Sequence, residues 1–326
     1  MQTLSEGSSS TLLIAIPTYD GEDRVLSLLR RLEVLGYLAS KSIRVVVIEN
    51  PSVHSRLHES ISSYQVQYVL NETQIGLHGS WIKALEIGMD FDWMLVLGDD
   101  DMLLNKAIST LSILSSDVLS QVKLLFARDS SLIPRSLRSF CDNSIQSREF
   151  LLNSDIHYGF GFLSNTFMRP SSEMLSIARA VSQNLSNTDC LHYIVLTTYA
   201  LTSQCNIFLS SRLSIETSIF NDQCAMRASP DSRDTYDKTL GLSSVPYKNL
   251  VIWLNTFDEI NRLVERGILD LRNYHMVCQS QIQRSFRLWI RSSRLKGLLC
   301  LAKCMLLSLR KPIYARILYY YFGVLR

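Results

Sequence analysis

The spacing of hydrophobic positions changes several times along the chain, and each change marks an element. Thr11–Ile16 is a continuous apolar, β-rich run closed by Pro17, which predicts a buried strand. After the polar stretch Asp20–Asp23, residues Val25, Leu28, Leu29, Leu32 and Leu35 recur at helical spacing. Ile43–Ile48 is a second, β-branched run of the kind that strands adopt when helices cover both faces. The pattern then predicts a helix over His54–Tyr64, a short strand at Val66–Leu70 and a helix over Ser80–Met89. A further apolar strand, Phe91–Leu97, ends in Gly98-Asp99-Asp100-Asp101. This β-α-β-α-β-α-β order, over about a hundred residues, predicts the α/β class: a mostly parallel sheet flanked by helices. Ligands of such sheets bind at the carboxyl ends of the strands. Pro17–Asp20, Glu49–Ser52, Asn71–Gly79 and Asp99–Asp101 are therefore expected along one rim.

The second half is less regular. Val122–Phe126 reads as a strand, Leu132–Ser147 carries no clear period, and Gly159–Met168 is glycine-bearing and then apolar. Leu191–Leu201 reads as a helix and Asn206–Leu209 as a short strand. Ser229–Tyr247 is polar and holds Pro230 and Pro246, the signature of a loop and boundary. From Asn249 onward Trp253, Phe257, Ile260 and Leu263 return to helical spacing. The expected organisation is a polar tail over 1–10 and an α/β domain over 11–228, in halves 11–104 and 105–228. A loop over 229–248 and a helical region over 249–326 follow.

Composition sharpens this picture in three respects. With 47% hydrophobic and 19% charged residues the chain can bury a core, which excludes a disordered or fibrous protein. The formal net charge of +3 hides an asymmetry. Asp270 is the last acidic residue, and 11 basic residues follow it; the 33 Lys and Arg less these 11 leave 22 against 30 acidic groups, a net of −8 for the first 270 residues. An acidic body with a basic tail points to a negatively charged partner. The seven cysteines are odd in number and form no C-x-x-C pair, which fits a reducing compartment and neither a disulfide framework nor a zinc site. The first ten residues lack the basic and apolar regions of a signal peptide. The apolar runs Leu298–Leu309 and Ile313–Leu325 are short and broken by Lys303 and Arg316, so no membrane span is expected.

Three adjacent aspartates behind a buried strand repel one another and raise each other's pKa unless a positive group sits among them. A divalent cation is one such group; it takes one or two carboxylates and completes its shell with water and phosphate oxygens. The other reading of Asp99–Asp101 is a solvated acidic turn capping the next helix.

Four motifs occur in order: Ile16-Pro17-Thr18-Tyr19-Asp20, Val47-Ile48-Glu49-Asn50-Pro51-Ser52, Asn71-(x)4-Gly76-(x)2-Gly79-Ser80 and Leu97-Gly98-Asp99-Asp100-Asp101. Together they resemble the family 2 glycosyltransferases of GT-A fold, and most of all the abequosyltransferase-like, O-antigen branch of bacterial surface-polysaccharide enzymes. The resemblance spans about 11–215, and its strongest part is 11–104. It implies a GT-A, Rossmann-like sheet, to which the periodicity and charge beyond residue 249 add a basic helical extension, and transfer of one sugar, with inversion, from a nucleotide-sugar donor to a saccharide acceptor. It implies that Pro17, Thr18 and Tyr19 line the base pocket, with Tyr19 stacking on the base, and that Glu49 hydrogen-bonds the base where the family usually has Asp. Asn50, Gly79, Ser80, Lys83 and Asp100 belong to the implied donor-binding set, with Gly79-Ser80 standing where the family often has Gly-Asn. Asp99 would touch the ribose, and Asp101, with Asp99, would ligate Mn²⁺ or Mg²⁺. The implied base is Asp189, with an N-cap role open to it. His192 remains open among base, metal ligand and packed core residue. The Gln-x-x-Arg-Trp signature of processive members is missing.

The basic tail interleaves Arg284, Arg287, Arg291 and Lys296 with Phe286, Trp289 and Leu298, and ends near Tyr319-Tyr320-Tyr321-Phe322. Helices of this composition settle on anionic membrane surfaces, or pack on a body with a solvated basic face. The first alternative implies a cytoplasmic enzyme, peripheral on the inner face of the cell membrane, with a polyprenyl-diphosphate-linked acceptor. No nucleic-acid motif accompanies the charge. A sugar nucleotidyltransferase or a non-catalytic nucleotide-sugar-binding scaffold are the competing expectations.

Overall fold

The computed structural model describes residues 11–52, 56–103, 121–127, 135–153, 164, 166–185, 191–203, 205–210, 215–216, 256, 258–271, 274–277 and 280. Asp189, the loop expected over 229–248 and the basic tail beyond residue 280 lie outside these residues.

Strands β1 (Leu12–Thr18), β2 (Ile43–Glu49), β3 (Gln67–Leu70) and β4 (Trp93–Val96) form a parallel set in the order β3-β2-β1-β4. Helices α1 (Glu22–Val34), the single turn α2 (Leu57–Ser60) and α3 (Gly76–Gly88) connect them. A two-residue strand, β5 (Met102–Leu103), leaves the end of β4. Beyond it come β6 (Val122–Ala127), a 3-10 turn at Arg135–Phe140, β7 (Asn143–Gln146) and α4 (Ser147–Asn153). Then follow β8 (Thr166–Met168), α5 (Ser172–Ser182), α6 (Leu191–Thr202), β9 (Asn206–Ser210) and β10 (Ile215–Glu216).

One eight-stranded sheet, ordered β3-β2-β1-β4-β8-β6-β9-β7, runs through the molecule, and β10 pairs antiparallel with β5 in a separate ribbon. The parallel run ends at β4, because β8 lies antiparallel to both β4 and β6. Alternation along β1 fills two cores: Leu13 and Ala15 face the side covered by α3, α5 and α6, while Leu12, Ile14 and Ile16 face α1. Helix α6 is buried at every position from Leu191 to Ala200, as expected of a helix apolar all round. Residues 258–265 are also helical; Arg262 bonds the Asn184 carbonyl and Glu259, which ties this helix to the end of α5.

Some expectations need correction. Strand β1 does not stop at Pro17 but continues to Thr18, paired with Glu49. The missing Pro17 N–H falls on the β4 side, beyond the last pair there, Ala15 with Val96, so no ladder bond is lost. Of the helix expected over His54–Tyr64, the described residues 56–64 form only the turn Leu57–Ser60. Ser62 donates to the Glu59 carbonyl at 2.7 Å and Ser60 to Glu22, hydrogen bonds that compete with helix propagation. Helix α3 begins four residues before Ser80. Helix α5 was not expected at all, although Ser171 accepts from Met174 N at 3.1 Å as its cap, and Met174, Ala178 and Val181 bury one stripe.

Candidate functional site

The carboxyl ends of β1, β2, β3 and β4 carry the polar residues of the rim, and hydrogen bonds lock them to one another. Asn50, just past β2, is the hub. Its backbone N–H donates to the Thr18 carbonyl at 3.0 Å, and its side-chain oxygen accepts from Ile75 N at 3.0 Å and from Asn71 Nδ2 at 3.3 Å. Its Nδ2 donates to Ser80 Oγ at 3.1 Å and to the Gly76 carbonyl at 3.4 Å. This side chain satisfies backbone groups at the start of α3 in place of a cap, which is why the helix begins so early. Asn50 and Ser80 are buried, and their polar atoms are spent on the scaffold. Gly79 lies in the same turn, its N–H given to the Ile75 carbonyl at 3.2 Å.

Beside the hub, Glu49 is only 2% exposed and accepts a hydrogen bond from the Tyr68 hydroxyl. Burial, with this bond and the Glu49 charge adding to it, pushes the Tyr68 phenol above its ordinary range, so it remains a donor. The His58 ring packs on Tyr68 at 4.9 Å between centroids. Tyr19 stands at the lip, 43% exposed, an aromatic face available for stacking.

The aspartate trio divides. Asp99 turns inward: its Oδ2 accepts from Thr18 Oγ1 at 2.6 Å and from Arg24 Nη2 at 3.0 Å. Burial raises the Asp99 pKa, and the hydrogen bonds from Arg24 and Thr18 oppose this without reversing it. Arg24 also reaches the Tyr19 carbonyl at 3.4 Å, so one guanidinium joins the ends of β1 and β4. Gly21 makes room for the knot: a Cβ there would sit 2.2 Å from Asp99 Oδ2 and 2.5 Å from Thr18 Oγ1. Asp101 faces the second half of the chain. Its Oδ2 accepts from Ser164, whose Oγ in turn accepts from Gly98 N at 2.9 Å.

Two carboxylates converge above Gly98. A Cβ on that glycine would lie 2.9 Å from both Asp100 Oδ1 and Asp101 Oδ2. Hard oxygen donors from two residues, at the carboxyl end of an internal strand, suit a divalent cation that draws its remaining ligands from phosphate and water. Among the described residues no group of three or more His, Cys, Asp or Glu is placed to hold a metal ion, so a cation here would have two protein carboxylates only.

The remaining predicted residues lie differently. Pro17 is within β1, one residue short of the rim. Lys83 is a turn further along α3, 3.8 Å from Glu86, which also binds Arg179 of α5 at 2.8 Å. His192, in the first turn of α6, is 8% exposed and stacks on His78 of α3 at 5.7 Å between centroids. Among the described residues neither Nδ1 has a hydrogen-bond partner. Burial lowers the His78 pKa to about 4, and burial together with His78 holds His192 well below the ordinary range. Both imidazoles are neutral at neutral pH, and a base of such low pKa is weak.

No family model matches the chain, and no curated protein matches it by sequence. Solved structures match by shape. The 1–349 part of S. aureus TarS aligns with a TM-score of 0.52 at 15% identity, over 85% of this chain and 72% of that one. The fold is GT-A. The longer S. aureus TarS structure gives 0.52 at 16% identity, over 85% of this chain and 43% of that one. TarS 1–349 in complex with UDP-GlcNAc gives 0.51 at 13% identity, over 85% and 73%. Likeness at such identities speaks for architecture alone.

Arg24, Tyr68 and His78 were not foreseen. Arg24 did leave a trace, because a cation in the first turn of a helix opposes the macrodipole and so calls for an anionic partner. Tyr68 and His78 left none, since their partners are set by sheet register and helix packing.

Proposed function

We propose that the chain transfers one sugar, with inversion, from a nucleotide-sugar donor to a saccharide acceptor, with Mn²⁺ or Mg²⁺ as cofactor. The observation that carries this reading is the convergence of Asp100 and Asp101 over Gly98, on the same rim as Tyr19 and Glu49. That the same fold holds UDP-GlcNAc in TarS supports it. In this reading Tyr19 stacks on the base and Glu49, oriented by Tyr68, accepts a base N–H. Asp99, fixed by Thr18 and Arg24, offers an oxygen to a ribose hydroxyl. Asp100, in place of the Asp99 that the resemblance pairs with Asp101, and Asp101 would hold the cation, which would supply positive charge where the leaving diphosphate develops negative charge. Asn50 and Ser80 keep the floor of the donor pocket rigid. Asp189 is the proposed base for the acceptor hydroxyl; the neutral, weakly basic His192 is a packing partner for the start of its helix.

The same proposal takes the acceptor to be linked to polyprenyl diphosphate, with the basic tail on an anionic membrane surface. Among the described residues no helix is long and apolar enough to cross a membrane. The donor is tested by thermal shift with UDP-, GDP-, CDP- and dTDP-sugars, with and without Mn²⁺. Stabilisation by one nucleotide only with metal is expected; indifference to all four removes the reading. The tail is tested by co-sedimentation of the full chain with anionic vesicles, where binding should weaken as salt is raised.

A further inference from the structure

We propose that Arg24 is a built-in counter-cation: a positioning residue that holds Asp99 for the nucleotide and withholds it from the divalent cation. The inference rests on the transferase reading and deepens it. Three observations converge on it. Arg24 and Thr18 both bind the same oxygen of Asp99, Oδ2, at 3.0 and 2.6 Å. Arg24 also holds the Tyr19 carbonyl, so the same side chain sets the lip on which the base would stack. On the other side of the trio, Asp100 and Asp101 gather over Gly98, with Asp101 braced by Ser164 from the second half of the chain.

The electrostatics give each carboxylate a separate task. Three adjacent anions would draw a cation towards the middle of the cluster. Arg24 neutralises the first, and with Thr18 it already occupies Asp99 Oδ2, so the charge that would draw an ion there is compensated. The cation is left to the outer pair, and Asp99 Oδ1, which takes no hydrogen bond among the described residues, stays available to a ligand hydroxyl. Gly21 supports the same arrangement, because any side chain there would drive Arg24 and Thr18 from Asp99. A guanidinium suits the task, since it stays charged and can serve two acceptors from one planar group.

The prediction has opposite signs for two ligands. In Arg24→Met, Mn²⁺ binding without nucleotide, followed by electron paramagnetic resonance, should tighten by about three- to tenfold as an uncompensated carboxylate joins the cluster. Nucleoside diphosphate binding at saturating Mn²⁺, measured calorimetrically with the nucleotide that stabilises the wild type, should weaken by about tenfold. Arg24→Lys should restore the Mn²⁺ affinity and recover the nucleotide only in part. A merely structural role would weaken both ligands together. Unchanged affinities, or two losses in Arg24→Met with a cooperative thermal transition retained, overturn the proposal. If the wild type binds Mn²⁺ but no nucleotide, the transferase reading fails, and the Mn²⁺ titrations of Arg24→Met and Arg24→Lys still decide whether Arg24 screens Asp99.

Discussion

Single atoms decide how the rim works. The Gly21 position lies so close to Asp99 Oδ2 and Thr18 Oγ1 that one methyl group must displace both. Gly21→Ala is therefore expected to cost about 1–3 kcal/mol of stability, by the usual penalty for overpacking. It should also weaken nucleotide binding more than a change of equal size on the outer face of α1; urea denaturation and calorimetry on the same sample separate the two effects. Asp101→Asn is predicted to behave differently. The amide oxygen can still accept from Ser164, so the melting temperature should hold, while Mn²⁺-dependent stabilisation by the donor disappears. Retained metal dependence would assign the cation to other side chains. At this scale the sequence was informative about residue types and silent about their pairing. The motifs brought Thr18, Tyr19, Glu49 and Asp99–Asp101 to one rim, but nothing in the linear order told which carboxylate meets Arg24 and which meets Ser164. Those pairings arise between residues 75 and 63 positions apart in the chain.

At the scale of elements, periodicity located most strands and helices of the first hundred or so residues, where the βα alternation is strong. It failed where one residue from a distant segment overrode local preference. Helix α3 starts at Gly76 because the Asn50 side chain supplies the partners its first turn lacks. Asn50→Leu is consequently expected to destabilise the fold by about 2–4 kcal/mol, since several buried polar groups lose their partners at once. Hydrogen exchange should find the loss of protection concentrated at Ile75–Ser80 and at Asn71; uniform loss across the sheet would count against Asn50 as a local cap. The signal for α5 was in the chain all along, as a serine cap followed by Met174, Ala178 and Val181. Its short apolar stripe is weak beside the continuous runs around it. Within the irregular stretch Leu132–Ser147, the described residues hold a 3-10 turn at Arg135–Phe140 and the strand Asn143–Gln146, which β9 pairs.

For the molecule as a whole, the stacked pair of His78 and His192 makes stability depend on pH. His78 titrates at about 4 in the folded chain against an ordinary 6.5, because burial disfavours its charged form. Between those values the unfolded chain takes up a proton that the folded chain refuses, so unfolding free energy falls as pH drops from 6.5 towards 4. Above 6.5 this contribution is fully present. The loss should be on the order of 1–3 kcal/mol across the window, with His192 acting in the same direction. Urea midpoints at pH 7.5 and pH 5 measure it; His192→Phe should flatten the slope in part, and His78→Phe combined with it should remove the rest, so an unchanged slope in the double variant would exclude the pair as its source.

The reversed strand β8 has a consequence for biosynthesis. It pairs with the very strand that delivers the aspartates, and Ser164, which braces Asp101, lies just before it. On the ribosome, the nascent first half emerges with one margin of β4 unsealed, a template for stray pairing. That margin closes only after Thr166–Met168 has been translated. The carboxylate centre is thus finished late, and the stretch of elongation between the two strands is when a growing chain most needs a chaperone's shelter.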